Sequence, residues 1–394
     1  MKKTVRDIGV KGKRVLVRCD FNVPMNGTCI TDDVRIKAAL PTIEHLIKNG
    51  AKVILMSHMG RPGGRAEMEY TLAPVAERLS ILLDKKVIFI SCPEVISERV
   101  RDAALKLGEG DVMLLENTRF RKEETKNLDT FSKELSELGE VFVNDAFGTA
   151  HRAHCSTVGI SAYMPSVSGF LMEKEIGFLG DALEDPERPF LAIMGGAKVK
   201  DKIPVIENLL KKVDSLIIGG GMAYTFFKAM DFEIGKSILD SESIELAGEL
   251  MKKAEASGVK MLLPEDVLCS EEFSEECRRG IYEKDSIPKD MMGMDIGPKT
   301  MELFTAEIDS ARTVVWNGPM GVFEMDSFSE GTKIVAEAMA KSSALTIIGG
   351  GDSAAAVEKF GMAKKMDHIS TGGGASLEFL EGRELPGIAV LEDK

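Results

Sequence analysis

This chain of 394 residues lacks any apolar run long enough to cross a bilayer, which excludes a helical membrane protein. It lacks a basic excess: 50 Lys and Arg stand against 63 Asp and Glu, a formal charge of −13. That balance argues against general affinity for nucleic acid or for anionic membrane. It lacks any C-x-x-C pair among six scattered cysteines, so reduced thiols in a cytoplasmic protein are expected rather than a disulfide framework. The basic start, MKKTVRDIGVKGKR, has no apolar segment behind it, so no secretory signal is expected. His151 and His154 have no Cys or further His to complete a metal ligand set.

What is present is ordinary globular composition, 44% hydrophobic and 29% charged, in a chain long enough for two cores. Short β-rich runs alternate with helical patterns, which predicts βαβ units and parallel sheets. In the first half, strands are predicted at residues 14–18, 52–56, 87–90, 111–115 and 141–143. Helices are predicted at 33–49, where Ile36, Leu40, Ile43 and Ile47 form one stripe, and at about 72–83. The stretch around Pro165, Ser166, Ser168 and Gly169 reads as a loop, and residues 171–183 read as an amphipathic helix joining two lobes. In the second half, strands are predicted at 190–194, 215–218, 261–263, 313–316, 346–348 and 368–370.

The two halves end their strands differently. After first-half strands come Arg18, His58, Arg61, Arg119, Arg121, His151 and Arg152, with Arg35 opening the first helix. The carboxyl ends of an open parallel sheet gather at one crevice. Arginine forks there suit a small, strongly anionic ligand. Second-half strands end in glycine: GGAK at 195–198, GGG at 219–221, NGPMG at 317–321, GGGDS at 349–353 and TGGG at 371–374. Such turns leave backbone N–H groups free to surround phosphates.

The sharpest of them is LTIIGGGDSAAAV at 345–357, a strand, a tight turn and a helix start. Asp352 beside a phosphate calls for a cation between them, naturally Mg²⁺, though Asp is also a preferred helix N-cap. Gly349, Gly351 and Ala354 fit a loose dinucleotide pattern, but no acid follows to bind a ribose diol. Lys198 and Lys202 share a face if a helix begins there, either to reach phosphates or as a solvated lysine face. The residues alone give two α/β lobes suited to phosphoryl transfer between a nucleotide and a small anion. A non-catalytic two-lobed anion-binding protein is the alternative.

The chain resembles phosphoglycerate kinases along nearly its whole length. RCDFNVP at 18–24, SHMGRP at 57–62, ENTRF at 116–120, GTAHRAH at 148–154 and GGAKVKDK at 195–202 carry the likeness in order. WNGPMGVFE at 316–324, GGGDS at 349–353 and STGGGAS at 370–376 complete it. The resemblance implies two Rossmann-like lobes, each a parallel sheet flanked by helices. The first is residues 1–169, and a hinge helix follows at 170–185. The nucleotide domain is 186–385, and a tail at 386–394 returns to the first lobe.

The resemblance also implies reversible transfer between ATP and 3-phosphoglycerate, giving ADP and 1,3-bisphosphoglycerate, with Mg²⁺, by a monomer whose lobes close. The 3-phosphoglycerate site falls on Asp20, Phe21, Asn22, Arg35, His58, Met59, Gly60, Arg61, Arg119 and Arg152. The nucleotide site falls on Gly196, Ala197, Lys202, Gly220, Gly293, Asn317, Glu324, Gly350, Gly351, Asp352 and Ser353. Asp352 is expected to contact the metal. Lys198, Arg35, Gly373 and Gly374 are expected to steady the moving phosphoryl group. Cys19 and Lys200 depart from the family pattern, and Cys19 raises the prospect of sensitivity to oxidation.

Overall fold

The computed structural model describes residues 1–197 and 199–394. Its chain divides into two compact units: Met1–Gly177 with Glu384–Lys394, and Phe178–Arg383.

In the first unit the strands are β1 (Arg14–Arg18), β2 (Met25–Asn26), β3 (Cys29–Ile30), β4 (Lys52–Met56) and β5 (Val87–Phe89). After them come β6 (Val112–Leu114), β7 (Val141–Asn144) and β8 (Ser166–Ser168). Six of these form a parallel sheet of order β5-β6-β4-β1-β7-β8, and β2 pairs with β3 as a small hairpin. Alternate side chains leave opposite faces of a strand. Accordingly Val15, Val17, Val53, Leu55, Val112 and Leu114 join one apolar cluster, while Leu16, Ile54, Met56, Met113 and Phe142 join another. Both faces are buried, as a parallel sheet between helices requires.

In the second unit the strands are β9 (Phe190–Met194), β10 (Ser215–Ile218), β11 (Lys260–Leu262), β12 (Asp266–Ser270) and β13 (Arg279–Glu283). The rest are β14 (Met292–Ile296), β15 (Thr313–Asn317), β16 (Leu345–Gly349) and β17 (His368–Ile369). A parallel sheet runs β11-β10-β9-β15-β16-β17, and an antiparallel sheet runs β13-β12-β14. The order reverses between β1 and β7 in the first sheet and between β9 and β15 in the second. Those are the switch points at which open α/β sheets bind ligands.

Several sequence-based expectations change. Residues 166–168, read as a loop, form β8, paired parallel to β7. Two serines around one valine carry little strand signal; the strand exists because β7 pairs with it on one side while, on the other, Val5 N and Glu392 N donate to it and Lys3 O accepts from it. The antiparallel sheet went unread because β13 is a half-exposed edge strand and the residues before it, 271–278, are mostly charged or polar. The first helix, Val34–Lys48, runs through Pro41, and two short helices, Glu98–Leu105 and Asp129–Ser136, add to those predicted. The bridging helix is Phe170–Glu184. The chain's last residues lie on the first unit: Gly387 N donates to Ala150 O at 2.8 Å and Glu392 N to Ser166 O at 2.9 Å.

Candidate functional site

In the first unit the loops after β1, β4 and β6 meet. Asp20 Oδ2 takes the guanidinium of Arg35 at 2.9 Å, and Arg35 also donates to Asn22 O at 3.3 Å. Gly60 ties this group to the next: its N–H donates to Asn22 Oδ1 at 2.8 Å, and its carbonyl accepts from Arg119 at 2.7 Å. A Cβ at Gly60 would lie 2.3 Å from the Tyr70 ring, so only glycine fits. Beside it opens a cavity of about 320 Å³ lined by Arg61, Arg119, Arg152 and His154, with Gly63, Gly64 and Thr125.

No carboxylate is among the described residues that line this cavity. Burial and the neighbouring Arg18 and Arg152 pull Arg119 down to about 10, still cationic at neutral pH. Its Nε is buried without a partner, as is Nδ1 of His154. Burial and the same arginines push His154 down to about 3 and His58 well below the usual range, so both imidazoles are neutral. Three guanidiniums, one with an unpartnered Nε, and a neutral imidazole are an arrangement that can take an anion.

Not every predicted cation lines that cavity. Arg18 is fully buried beneath it, donating to Ser156 Oγ at 2.9 Å and lying 3.2 Å from His58 Nδ1. Arg121 is committed elsewhere, to Glu134 at 3.0 Å and Glu123 at 3.2 Å, over the Phe131 ring. Phe21 and Met59 belong to the apolar core, so any ligand contact there falls to main chain. Cys19 is buried and its thiol pushed well up by desolvation, so the expected oxidation sensitivity has no chemical basis in the folded state.

In the second unit two cavities adjoin, sharing Gly196, Ala197 and Asp352. The larger, about 690 Å³, is mainly apolar: Gly220, Tyr224, Gly293, Met294 and Met320 line it, with Glu324 among its polar groups. The smaller, about 430 Å³, is bounded by Lys202, Asn317, Gly350, Gly351, Ser353, Gly373 and Gly374. Gly350, at φ +84°, is N-cap of the helix Gly351–Lys359; Gly373, at φ +52°, is N-cap of Gly374–Leu380. Glycine adopts such angles without strain, and both helix starts face one cavity.

Asn317 Nδ2 is buried there without a partner. Ser353 is buried with its hydroxyl taking Gly318 N–H at 2.6 Å, so it braces the turn. Lys202 precedes its helix, Ile203–Leu209, and its ammonium contacts the carbonyls of Gly195 and Asn317 across the switch point. Burial pulls Lys202 down to about 8 against the raising effect of Asp352. Lys198 lies outside the described residues. The helix at Gly351 has no side-chain cap bond, and Asp352 is exposed, which decides against the capping role. Among the described residues no three His, Cys, Asp or Glu cluster for a metal. Asp352, an exposed carboxylate shared by the two cavities, fits a cation that takes most of its ligands from a phosphate chain.

A family model described as phosphoglycerate kinase matches residues 5–383. The chain belongs to the phosphoglycerate kinase family. Phosphoglycerate kinase of Clostridium novyi is 60% identical over 394 residues, covering 100% of this chain and 99% of that one. That of Clostridium tetani is 59% identical, covering 100% and 98%. The solved phosphoglycerate kinase from Coxiella burnetii aligns with a TM-score of 0.92 at 42% identity, covering 99% of this chain and 98% of that one. The one from Pyrococcus horikoshii OT3 gives 0.82 at 36%, with the same coverage.

Phosphoglycerate kinase function, that of an ATP-using kinase, goes with this membership, and the non-catalytic reading is not favoured. No helix is long and apolar enough to cross a membrane among the described residues. Sequence reasoning missed Thr125, Tyr224 and Met294 as cavity linings. Tyr224 and Met294 carry no motif; the one signal for them was the neighbouring Gly293, itself placed only by resemblance.

Proposed function

We propose that the first unit holds 3-phosphoglycerate or 1,3-bisphosphoglycerate on Arg61, Arg119 and Arg152. Asp20, Asn22, Arg35 and His58 orient it from the adjoining loops. The nucleotide base and ribose occupy the larger cavity of the second unit, with Glu324 toward the ribose. The phosphates lie over Gly350, Gly351, Gly373 and Gly374, near Lys202 and Asn317. The observation that carries this reading is the pairing of chemistries: one cavity lined by three arginines, with Arg119 Nε unpartnered, and one lined by helix starts with an orphaned amide.

Asp352 is our candidate to hold Mg²⁺ on the nucleotide, and the cation would neutralise phosphate charge there. The attacking carboxylate has a pKa of about 4 and is ionised at neutral pH, so no general base is required. Position and charge remain for the protein to supply. Lys198 and Arg35 are assigned to the charge on the transferring oxygens, with Gly373 and Gly374 contributing main-chain N–H groups. We further read the enzyme as a cytoplasmic monomer.

A coupled assay with ATP and 3-phosphoglycerate tests the assignment. Arg61→Ala should raise KM for 3-phosphoglycerate at least about tenfold and leave that for ATP alone, tenfold corresponding to about 1.4 kcal/mol. Gly351→Val should do the reverse, since a Cβ there meets nothing within 4 Å and the fold should tolerate it. Lys198→Ala should lower kcat by roughly 10²–10³, by analogy with loss of an oxyanion donor. Equal effects of Arg61→Ala on both substrates would refute separate sites.

A further inference from the structure

Behind the larger cavity of the second unit lies a carboxylate that the proposed mechanism does not use. Asp295 is 2% exposed and belongs to β14, whose Gly293 and Met294 form one wall of the cleft. Its Oδ2 accepts from Gly331 N at 2.8 Å, in the first turn of the helix Glu330–Lys341. Its Oδ1 accepts from Ile296 N at 2.9 Å. The 319–325 loop, seated on this strand, lines the same cleft. Met320 N and Gly321 N donate to Thr332 Oγ1 at 3.1 and 3.2 Å, and Val322 N donates to Met294 O at 2.9 Å. Gly321 lies against Asp295: a Cβ there would stand 2.2 Å from Oδ1, and one at Gly331 would stand 2.3 Å from it. One carboxylate therefore touches the strand, the loop and the helix that fix the cleft.

We infer that Asp295 is a positioning residue for nucleotide binding, seating the 319–325 loop on β14 and hence setting the shape of the cleft that both line. The inference rests on reading that cleft as the nucleotide site. Keeping a carboxyl here is unfavourable in itself, for burial pushes it up to about 7 despite its two N–H donors. An apolar residue would avoid that cost, but would leave Gly331 N without a buried acceptor and the loop without a stop.

The test is Asp295→Asn in the full chain. An amide offers one oxygen where the carboxylate offers two, so it cannot serve Gly331 N and Ile296 N together without turning its NH₂ toward one of them. The expected result is a rise of about tenfold in both KM and calorimetric Kd for ATP, the scale of one charged hydrogen bond. KM for 3-phosphoglycerate should stay within about twofold. If this variant fails to fold, Gly321→Ala presses the same carboxylate from the cleft side and should give the same split.

Parental ATP binding in the folded variants, or equal rises for both substrates, would overturn the role. Gly351→Val separates the two levels. Should it weaken ATP binding while the Asp295 and Gly321 variants do not, the Asp295 inference alone fails. Should none of the three affect ATP, the nucleotide assignment of the two adjoining cavities fails with it.

Discussion

Lys202 shows how a residue's meaning depends on partners far away in the chain. Its spacing from Lys198 suggested a phosphate-facing helix side, yet its ammonium is tied to carbonyls at the ends of β9 and β15, within hydrogen-bond reach of Asn317 O at 3.0 Å. With its pKa drawn down to about 8, it is partly neutral at mildly alkaline pH. A bound polyphosphate favours the charged form, so nucleotide binding should take up a proton. Affinity should be full below about 8 and fall as pH rises through that value. Calorimetry in buffers of different ionisation enthalpy measures this uptake; Lys202→Met should abolish it, and an unchanged uptake would assign the proton elsewhere. Arg121 and Arg18 belong to the same lesson. Arg18 ends β1 and Arg121 follows β6, but Ser156 and Glu134, brought in by packing, decide that neither lines the proposed anion cavity.

At the scale of elements, the helix Phe170–Glu184 was legible from its amphipathic run, and what starts it was not. Asp145, just past β7, accepts from Leu171 N at 2.9 Å and Met172 N at 3.2 Å. A side chain on Gly169 would collide with that carboxylate, since its Cβ would be 2.2 Å from Oδ1. Burial raises Asp145 from an ordinary 3.8 to about 6. The folded state then binds this proton more tightly than the unfolded chain does. Its contribution to stability therefore falls as pH rises from about 4 to about 6, by up to about 3 kcal/mol in all. Asp145→Asn keeps an acceptor for both N–H groups and removes the charge. It should raise the denaturation midpoint above pH 7 and flatten the pH dependence between 4 and 6 relative to the parent. Parallel pH curves for parent and variant would show that the carboxyl is not titrating there.

At the scale of the molecule, each unit carries one half of the proposed chemistry. In-line transfer needs the reacting atoms about 3–3.5 Å apart, and closure of the lobes on both ligands is what the family resemblance implies. X-ray scattering should show a smaller radius of gyration with 3-phosphoglycerate and a non-hydrolysable ATP analogue present than with either alone. No change with both bound would refute closure in solution. The C-terminal residues belong to this scale too, because Asn144 Nδ2 holds Gly387 O at 3.0 Å although 243 positions separate them. Nothing local in the sequence predicts such a contact; it came only from resemblance.

Periodicity and turn chemistry by themselves determined two parallel α/β sheets, the alternation of arginine-rich and glycine-rich strand ends, and the turn at Gly350. Each of these depends on residues close together in the chain. Only the tertiary structure decided that Arg119 and His154 keep unpartnered nitrogens beside one cavity, that Cys19 is sealed away, and that Asp295 stands behind the cleft. Burial and pairing are set by neighbours brought in from distant segments, and desolvation, which fixes charge and reactivity, follows from that packing.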